Sequence, residues 1–201
     1  MPDLLWALGG CTMSNVIDSL HQDHRNIARL LVLLEKQVDH FAAGEYTDFQ
    51  IITDIMHYFM NFPDVYHHPH EEIIFATLKS KNINVADIID EITTEHQNMA
   101  EESSAIYDAV KHIQGNAILS REEIVTRLRN YIANYYSHIN REEEKLFELA
   151  NSTLDKEDWQ KIDTEVTDTD DPLFGKIQDR EYQDLYKMIL SEDKEPQRSE
   201  E

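Results

Sequence analysis

The sequence contains few of the residues that form cross-links and tight turns. Of its 201 residues, only one is cysteine, five are glycine and five are proline. The single cysteine, Cys11, excludes an intrachain disulfide framework and cysteine-based zinc sites. It also fits a reducing compartment, so we expect a cytoplasmic location. The scarcity of glycine and proline argues against a barrel or sandwich with many turns and favours long helices.

Basic residues are scarce as well. The sequence has 18 Lys and Arg against 40 Asp and Glu, a formal net charge of −22 with histidine neutral. Proteins that bind nucleic acid or an anionic membrane surface need a basic face, so we expect neither partner. The apolar run from Leu4 to Leu8 is far too short to span a bilayer. We predict that residues 1–13 are an unstructured leader.

Apolar residues recur at intervals of three and four along most of the chain, which is the pattern of amphipathic helices. The pattern predicts four long helices, over about residues 16–41, 47–80, 84–114 and 120–151. Pro63 and Pro69 are expected to interrupt the second helix. Because the loops between these helices are short, we predict an all-α fold, an antiparallel up-down four-helix bundle over residues 14–151.

The helical signal weakens after Asn151. We predict short helices over residues 155–166 and 180–190, so that residues 152–190 form a short helical C-terminal extension. Its larger apolar side chains indicate packing on the bundle or on a partner: Trp159, Leu173, Phe174, Tyr182 and Leu185. Residues 191–201 are polar, charged and without periodicity, which predicts a disordered acidic tail.

The second and fourth predicted helices each contain a histidine followed four residues later by a glutamate. The two pairs are His67 with Glu71 and His138 with Glu142. Residues four apart lie on one helix face, about 6 Å along the axis, so an imidazole and a carboxylate can reach one cavity. Two such pairs at corresponding positions of two helices, each followed by apolar residues, are less readily explained by chance than a single pair.

The first and third predicted helices each place one histidine, His24 or His96, on an apolar stripe. A lone histidine there is more often a hydrogen-bonded core residue than a ligand. Burying four imidazoles and two carboxylates together would be unfavourable without compensation, and metal binding accounts for the whole set. Six nitrogen and oxygen donors without a thiolate suit a pair of first-row ions, with each carboxylate able to bridge both.

The register of the second helix leaves one alternative open. His68 with Glu72 has the same spacing as His67 with Glu71. We favour His67 and Glu71 because Phe75 then follows the glutamate by four residues, as a leucine does in the fourth helix.

In the fourth helix, Glu143 is the alternative to Glu142 as the partner of His138. Tyr135 precedes His138 by three residues and has two interpretations. It either donates a hydrogen bond into the site or packs in the core, and core packing is the commoner role of a buried tyrosine.

These motifs resemble the hemerythrin-like HHE cation-binding family over about residues 14–150. The likeness is carried by Asp23-His24, by His67 to Glu72 with Phe75, by Glu95-His96, and by His138 to Phe147. The resemblance implies a non-haem di-iron centre of two oxo- or hydroxo-bridged iron ions. The ligands that it implies are His24, His67, Glu71, His96, His138 and Glu142. It also implies chemistry with dioxygen, nitric oxide or peroxide.

The third helix departs from the pattern of classical oxygen-carrying hemerythrin, which has five histidine ligands, two of them four residues apart on that helix. Here, the residues four before and four after His96 are Ile92 and Ala100. The remaining set of four histidines and two glutamates is similar to that of bacterial members proposed to repair damaged iron centres.

We therefore predict first a di-iron protein that binds or senses dioxygen or nitric oxide at a carboxylate-bridged centre. The first alternative is a di-iron enzyme that turns over peroxide or nitric oxide, or an iron donor for the repair of damaged iron–sulfur centres. The second alternative is a metal-free helical interaction module. Whether the chain is an enzyme stays open at this stage, and the sequence names no protein partner.

Overall fold

All regular structure in the described part of the chain is helical. The computed structural model describes residues 15–81, 83–115, 119–167 and 169–192. The predicted all-α class is therefore confirmed. The predicted leader and residues 193–201 of the predicted tail lie outside the described residues. Within the described ranges, no helix is both long enough and apolar enough to cross a membrane.

The α-helices in chain order are α1 (Asn15–Ala43), α2 (Phe49–Asn61), α3 (His68–Lys81), α4 (Ala86–Gln114), α5 (Arg121–Arg141), α6 (Glu148–Thr153), α7 (Lys156–Glu165) and α8 (Gln183–Glu192). A first π turn (Pro63–His67) joins α2 to α3, and a second π turn (Glu142–Phe147) joins α5 to α6. Short 3₁₀ turns, Ile83–Val85 and Arg180–Tyr182, precede α4 and α8.

The helix ends follow local sequence signals. Gly44, just beyond α1, has a φ of +76°, the left-handed conformation that glycine adopts most readily. Asp48 caps α2 by accepting a hydrogen bond from the Gln50 N–H at 3.0 Å. Ser120 caps α5 in the same way by accepting from the Glu123 N–H at 3.3 Å. These signals mark the end of α1 and the beginnings of α2 and α5.

The two π turns interrupt the second and fourth long helical segments next to their histidine–glutamate pairs. Pro63, which has no N–H, begins the first π turn, and the Phe62 carbonyl accepts from the N–H groups of Tyr66 and His67. Pro69 lies in the first turn of α3, where proline is tolerated. The second π turn contains no proline and was not anticipated from sequence. Such turns are frequent at functional sites.

Two clusters of buried apolar side chains form the core. The first apolar cluster combines α2 and α5 with the later parts of α1 and α4, and it includes Leu30 and Phe59. The second apolar cluster combines α3 and α6 with the early parts of α1 and α4, and it includes Ile17 and Phe75. Each of the four long segments contributes to both clusters. Within each long segment, the buried histidines and glutamates occur in the region of the sequence where residues of one cluster give way to residues of the other.

The direction of the chain between the clusters alternates. Along α1 and α4, the sequence passes from the second apolar cluster to the first, whereas α2–α3 and α5–α6 pass in the opposite order. An up-down bundle requires this alternation. The alternation supports an antiparallel arrangement of the four segments. The antiparallel arrangement itself stays a prediction.

The C-terminal extension packs on the bundle. Leu173, Tyr182 and Leu185 are buried members of the first apolar cluster. The Tyr58 hydroxyl of α2 donates a hydrogen bond to Asp171 Oδ2 at 2.9 Å, while Asp171 Oδ1 accepts from the backbone N–H of Leu173 at 2.8 Å. The carboxylate of Asp171 therefore holds the loop before α8 in a fixed position against α2.

Replacing Leu173 by alanine is expected to lower the free energy of unfolding by about 2–5 kcal/mol, because its side chain is fully buried. Urea denaturation measures the change. Ile177→Ala, at a position that is 80% exposed in the same loop, is the control and should change stability by less than about 0.5 kcal/mol. Equal effects of the two substitutions would contradict the docking of the extension.

Candidate metal centre

A layer of buried histidines and glutamates lies between the two apolar clusters. We call it the polar layer; its members are His24, His67, His68, Glu71, His96, His138 and Glu142. None of these side chains is more than 4% exposed. The structure therefore brings together all six residues singled out from the sequence and adds His68.

Helix geometry explains why both His67 and His68 face the polar layer. Glu71 lies four residues after His67 and three after His68, and residues three and four apart share a helix face. The two histidines therefore flank the same turn before Glu71. In the fourth segment, His138 precedes Glu142 by four residues, but Ile139 stands at the spacing of three. The spacing rule was sufficient to find His68, but treating the two histidines as exclusive alternatives hid it.

Glu71 reaches histidines on two sides of the polar layer. Its Oε1 lies 3.3 Å from His24 Nε2 and 3.4 Å from His67 Nε2. Its Oε2 lies 3.4 Å from His96 Nε2. The two oxygens of one carboxylate thus face two different groups of imidazoles.

Glu142 has the same two-sided arrangement. Its Oε2 lies 3.4 Å from His24 Nε2. Its Oε1 lies 3.2 Å from both His96 Nε2 and His138 Nε2. Both glutamates therefore span the same pair of positions, one beside His24 and the other beside His96.

Several of these atoms have no hydrogen-bond partner. They are the Nε2 atoms of His24 and His68, Nδ1 of His96, both carboxylate oxygens of Glu71, and Oε2 of Glu142. The short N···O separations around Glu71 lack the angles of hydrogen bonds, so they do not satisfy its oxygens. Each buried unsatisfied group destabilises the fold by about 1–3 kcal/mol. Cations bound between the nitrogens and oxygens would remove this penalty, so the donor set fits metal binding.

The donor atoms form two groups, each compact enough for one ion. In one group, the donors of His68, Glu71, His96 and His138 all lie within 4.8 Å of one another. In the other, the donors of His24, His67 and Glu71 meet the same limit. Glu71 belongs to both groups, as a bridging carboxylate would.

An outer ring of carboxylates faces the second nitrogen of each histidine. Three pairs form hydrogen bonds between Nδ1 and a carboxylate oxygen: His24 with Glu143 at 2.7 Å, His67 with Asp23 at 3.2 Å, and His138 with Glu95 at 3.0 Å. In the other two pairs the Nδ1-to-oxygen distance is longer, 3.4 Å for His68 and Asp64 and 3.6 Å for His96 and Glu72. Histidines that bind metals typically donate their other N–H in this way, which directs Nε2 towards the ion.

Proximity of opposite charges shifts the pKa values in the polar layer. Burial alone would lower the pKa of His96, but the hydrogen bond to Glu142 and the nearby carboxylate of Glu72 outweigh it and raise the pKa to about 10. Burial likewise opposes protonation of His24, yet neighbouring glutamates raise its pKa well above the ordinary value. Protonated imidazoles therefore neutralise the glutamates when no metal is bound, and metal must displace these protons.

His68 differs from the other histidines in its electrostatic surroundings. Burial, followed by the nearby charges of His96 and His67, lowers the pKa of His68 well below its ordinary value. Burial also raises the pKa of its outer partner Asp64 to about 7. His68 is therefore a neutral imidazole, which is the form that binds metals.

The two alternative glutamates lie outside the polar layer, whereas His68 lies inside it. The Glu72 side chain is 47% exposed, and its nearest approach is to the outer nitrogen of His96. The Glu143 side chain is 30% exposed and contacts the Nδ1 atoms of His24 and His21. Glu71 and Glu142 are the glutamates that the structure places inside.

The Tyr135 hydroxyl is buried without a partner beside the polar layer. Its ring centroid lies 6.3 Å from that of His138 and 6.4 Å from that of His68. The ring packs on Phe59 at 5.0 Å, so the tyrosine is a core residue, but its hydroxyl is left available to a ligand.

Comparison with known protein families agrees with this geometry. The family model for the hemerythrin HHE cation binding domain matches residues 15–150, more than half of the chain. The chain belongs to the hemerythrin HHE cation-binding family. The matched range contains the whole polar layer of this HHE domain, while the C-terminal extension follows it. No curated protein and no solved structure matches the chain.

His67→Ala is expected to abolish stable metal binding without unfolding the bundle, because it removes an Nε2 that faces Glu71. Metal content after anaerobic loading with Fe(II) and gel filtration measures the loss, and far-UV circular dichroism checks the helices. His70→Ala, at a partly exposed position three residues later in α3, is the control and should bind metal as the wild type does. Full metal retention by His67→Ala would contradict the arrangement.

Anaerobic addition of Fe(II) is expected to raise the melting temperature. At a free metal concentration one hundred times the Kd, binding stabilises the fold by about 2.7 kcal/mol, or roughly 5–10 °C for a chain of this size. Glu71→Gln should lose most of this shift and Glu72→Gln should keep most of it, as scanning calorimetry can show. Equal shifts in the two variants would contradict the placement of Glu71 inside and Glu72 outside.

Proposed function

We propose that the polar layer holds two iron ions and that the protein binds or senses a small diatomic ligand there, either dioxygen or nitric oxide. His24 and His67 would hold one ion, His96 and His138 would hold the other, and Glu71 and Glu142 lie where they could contact both. The observation that carries the proposal is the two-sided position of Glu71, together with the matching position of Glu142.

These donors fit iron. The polar layer offers imidazole nitrogens and carboxylate oxygens and no thiolate, which suits a borderline first-row ion better than a structural zinc site. Pairs of carboxylates on facing helices hold paired iron ions in other helical bundles. Membership of a cation-binding family supports the same assignment.

The protein's own contribution is to position the donors and exclude water. Asp23, Glu143 and Glu95 fix the rings of His67, His24 and His138 through their outer nitrogens. The two apolar clusters close the polar layer from either side, so a ligand in it is shielded from solvent protons. When bound, ferrous iron supplies the electrons and the free coordination position that a diatomic ligand needs.

Enzymatic turnover of peroxide or nitric oxide is the second candidate function. The unpartnered hydroxyl of Tyr135 favours it, because a buried O–H beside the polar layer is able to donate a hydrogen bond to a bound substrate.

Stopped-flow mixing of the iron-loaded protein with dioxygen or nitric oxide tests the proposal. We expect one spectral change per pair of irons, reversed when the ligand is removed, and no change in His67→Ala. Repeated consumption of peroxide or nitric oxide would instead establish the enzyme. A wild-type protein that takes up no iron under these conditions would contradict both candidate functions. The metal-free helical interaction module would then be the remaining interpretation.

A further inference from the structure

We propose that the C-terminal extension selects which molecules reach the polar layer, and that Phe174 sets the size limit. The extension is the third wall of a cleft that reaches His67, and this cleft admits small uncharged molecules in preference to larger or anionic ones. The inference rests on the proposed function and deepens it by naming the element that selects the ligand. The family match ends at residue 150, so this wall lies outside the matched domain.

The cleft lies between α1, the first π turn and the C-terminal extension. It has a volume of about 850 Å³, and its lining includes Asp23 of α1 and His67 of the π turn. His67 is the one member of the polar layer in this lining, and it is only 1% exposed. A molecule in the cleft therefore meets the polar layer at a single, shielded ring.

The extension contributes about half of the residues that line the cleft. Its part of the lining runs from Asp163 in α7 to Lys176 in the loop before α8. Phe174 is the only aromatic side chain in this part and its largest apolar one. The width of the cleft on this side therefore depends on the ring of Phe174.

Contacts with the bundle hold the ring of Phe174 in place. The ring meets Tyr58 edge to face, with 6.1 Å between the ring centroids and an interplanar angle of 86°. The guanidinium carbon of Arg29 in α1 lies 5.2 Å from its centroid, within the range of a cation–π contact. Its backbone N–H donates to Asp171 Oδ1 at 2.9 Å. Phe174 is thus a fixed part of the wall.

A tight turn after Phe174 keeps the loop closed. The Gly175 N–H donates to the carbonyl oxygen of Asp171 at 2.8 Å, and the Lys176 N–H donates to Asp170 Oδ2 at 3.1 Å. A Cβ atom on Gly175 would collide with that carbonyl oxygen and would lie 2.6 Å from Asp170 Oδ1. The turn therefore requires glycine at this position, because only a residue without a side chain fits so close to the backbone.

The charge of the lining adds a second criterion. Four carboxyl groups line the cleft, those of Asp23, Asp163, Asp170 and Asp171, whereas Lys176 is the only lysine or arginine there. A cleft lined by one sign of charge attracts ions of the opposite sign and repels those of the same sign. Anions are therefore disfavoured, and uncharged molecules such as dioxygen and nitric oxide are not.

Chemical modification of the metal-free protein tests the size limit. Diethyl pyrocarbonate, which acylates accessible imidazoles and is larger than a diatomic molecule, is the probe, and mass spectrometry locates the modified residues. In the wild type, the partly exposed His70 in the cleft lining should react and His67 should not. Phe174→Ala should remove the protection of His67. Ile177→Ala, at an 80% exposed position in the same loop, is the control and should keep it.

Reaction of His67 in the wild type to the same extent as His70, or full protection of His67 in Phe174→Ala, would overturn the size limit. Continued protection of His138, which lies outside the cleft lining, checks that Phe174→Ala stays folded. Phe174→Trp guards against misfolding of the alanine variant, because it keeps an aromatic ring and enlarges it. It should slow nitric oxide binding to the iron-loaded protein, and an unchanged rate would also count against the size limit.

Asp163→Lys tests the charge criterion at an exposed position of the lining. Azide should bind the diferric protein about three- to fivefold faster at low salt, and the difference should disappear at high salt, while the nitric oxide rate stays unchanged. Asp108→Lys, exposed on α4 outside the lining, is the matched control, and an equal acceleration by both would overturn the charge criterion. A wild type that binds no iron would overturn the proposed function, whereas the modification pattern of His67 would still decide the role of Phe174.

Discussion

The fold depends on one unfavourable feature, the burial of a polar layer between two apolar clusters. Five imidazoles and two carboxylates are buried, none of them more than 4% exposed, and several of their nitrogen and oxygen atoms have no partner in the protein. Proton sharing between histidines such as His96 and glutamates such as Glu142 lessens the penalty in the metal-free protein. The proposed pair of cations would compensate it more completely, because each ion would satisfy nitrogen and oxygen atoms together.

The long helical segments are not regular α-helices throughout, and their irregular turns lie next to the polar layer. Both π turns lie beside it, the first ending at His67 and the second beginning at Glu142. Outer carboxylates from several segments, among them Asp23, Glu95 and Glu143, then fix the rings. Arg141 in turn pairs with Glu95, so the support extends to the surface. Local departure from α-helical geometry and a second ring of charge together position the donors.

Much of the fold and the centre could be predicted from the sequence, because both follow from helix periodicity. The spacing of three and four located the long helices, and the same spacing placed His67 with Glu71 on one face. Two features were missed. The second π turn contains no proline that would have indicated it, and His68 was missed because His67 and His68 were treated as exclusive alternatives, although helix spacing places both on the face of Glu71. Which carboxylates would form the outer ring depends on contacts between helices, which periodicity does not specify.

Anomalous diffraction from iron-loaded crystals, recorded at the iron absorption edge, tests the central claim most directly. The account predicts two anomalous peaks about 3.5–4 Å apart, between the carboxylates of Glu71 and Glu142 and within bonding distance of the inward histidine nitrogens. Fully iron-loaded crystals with no peak in the polar layer, and iron only on the acidic surface, would contradict it.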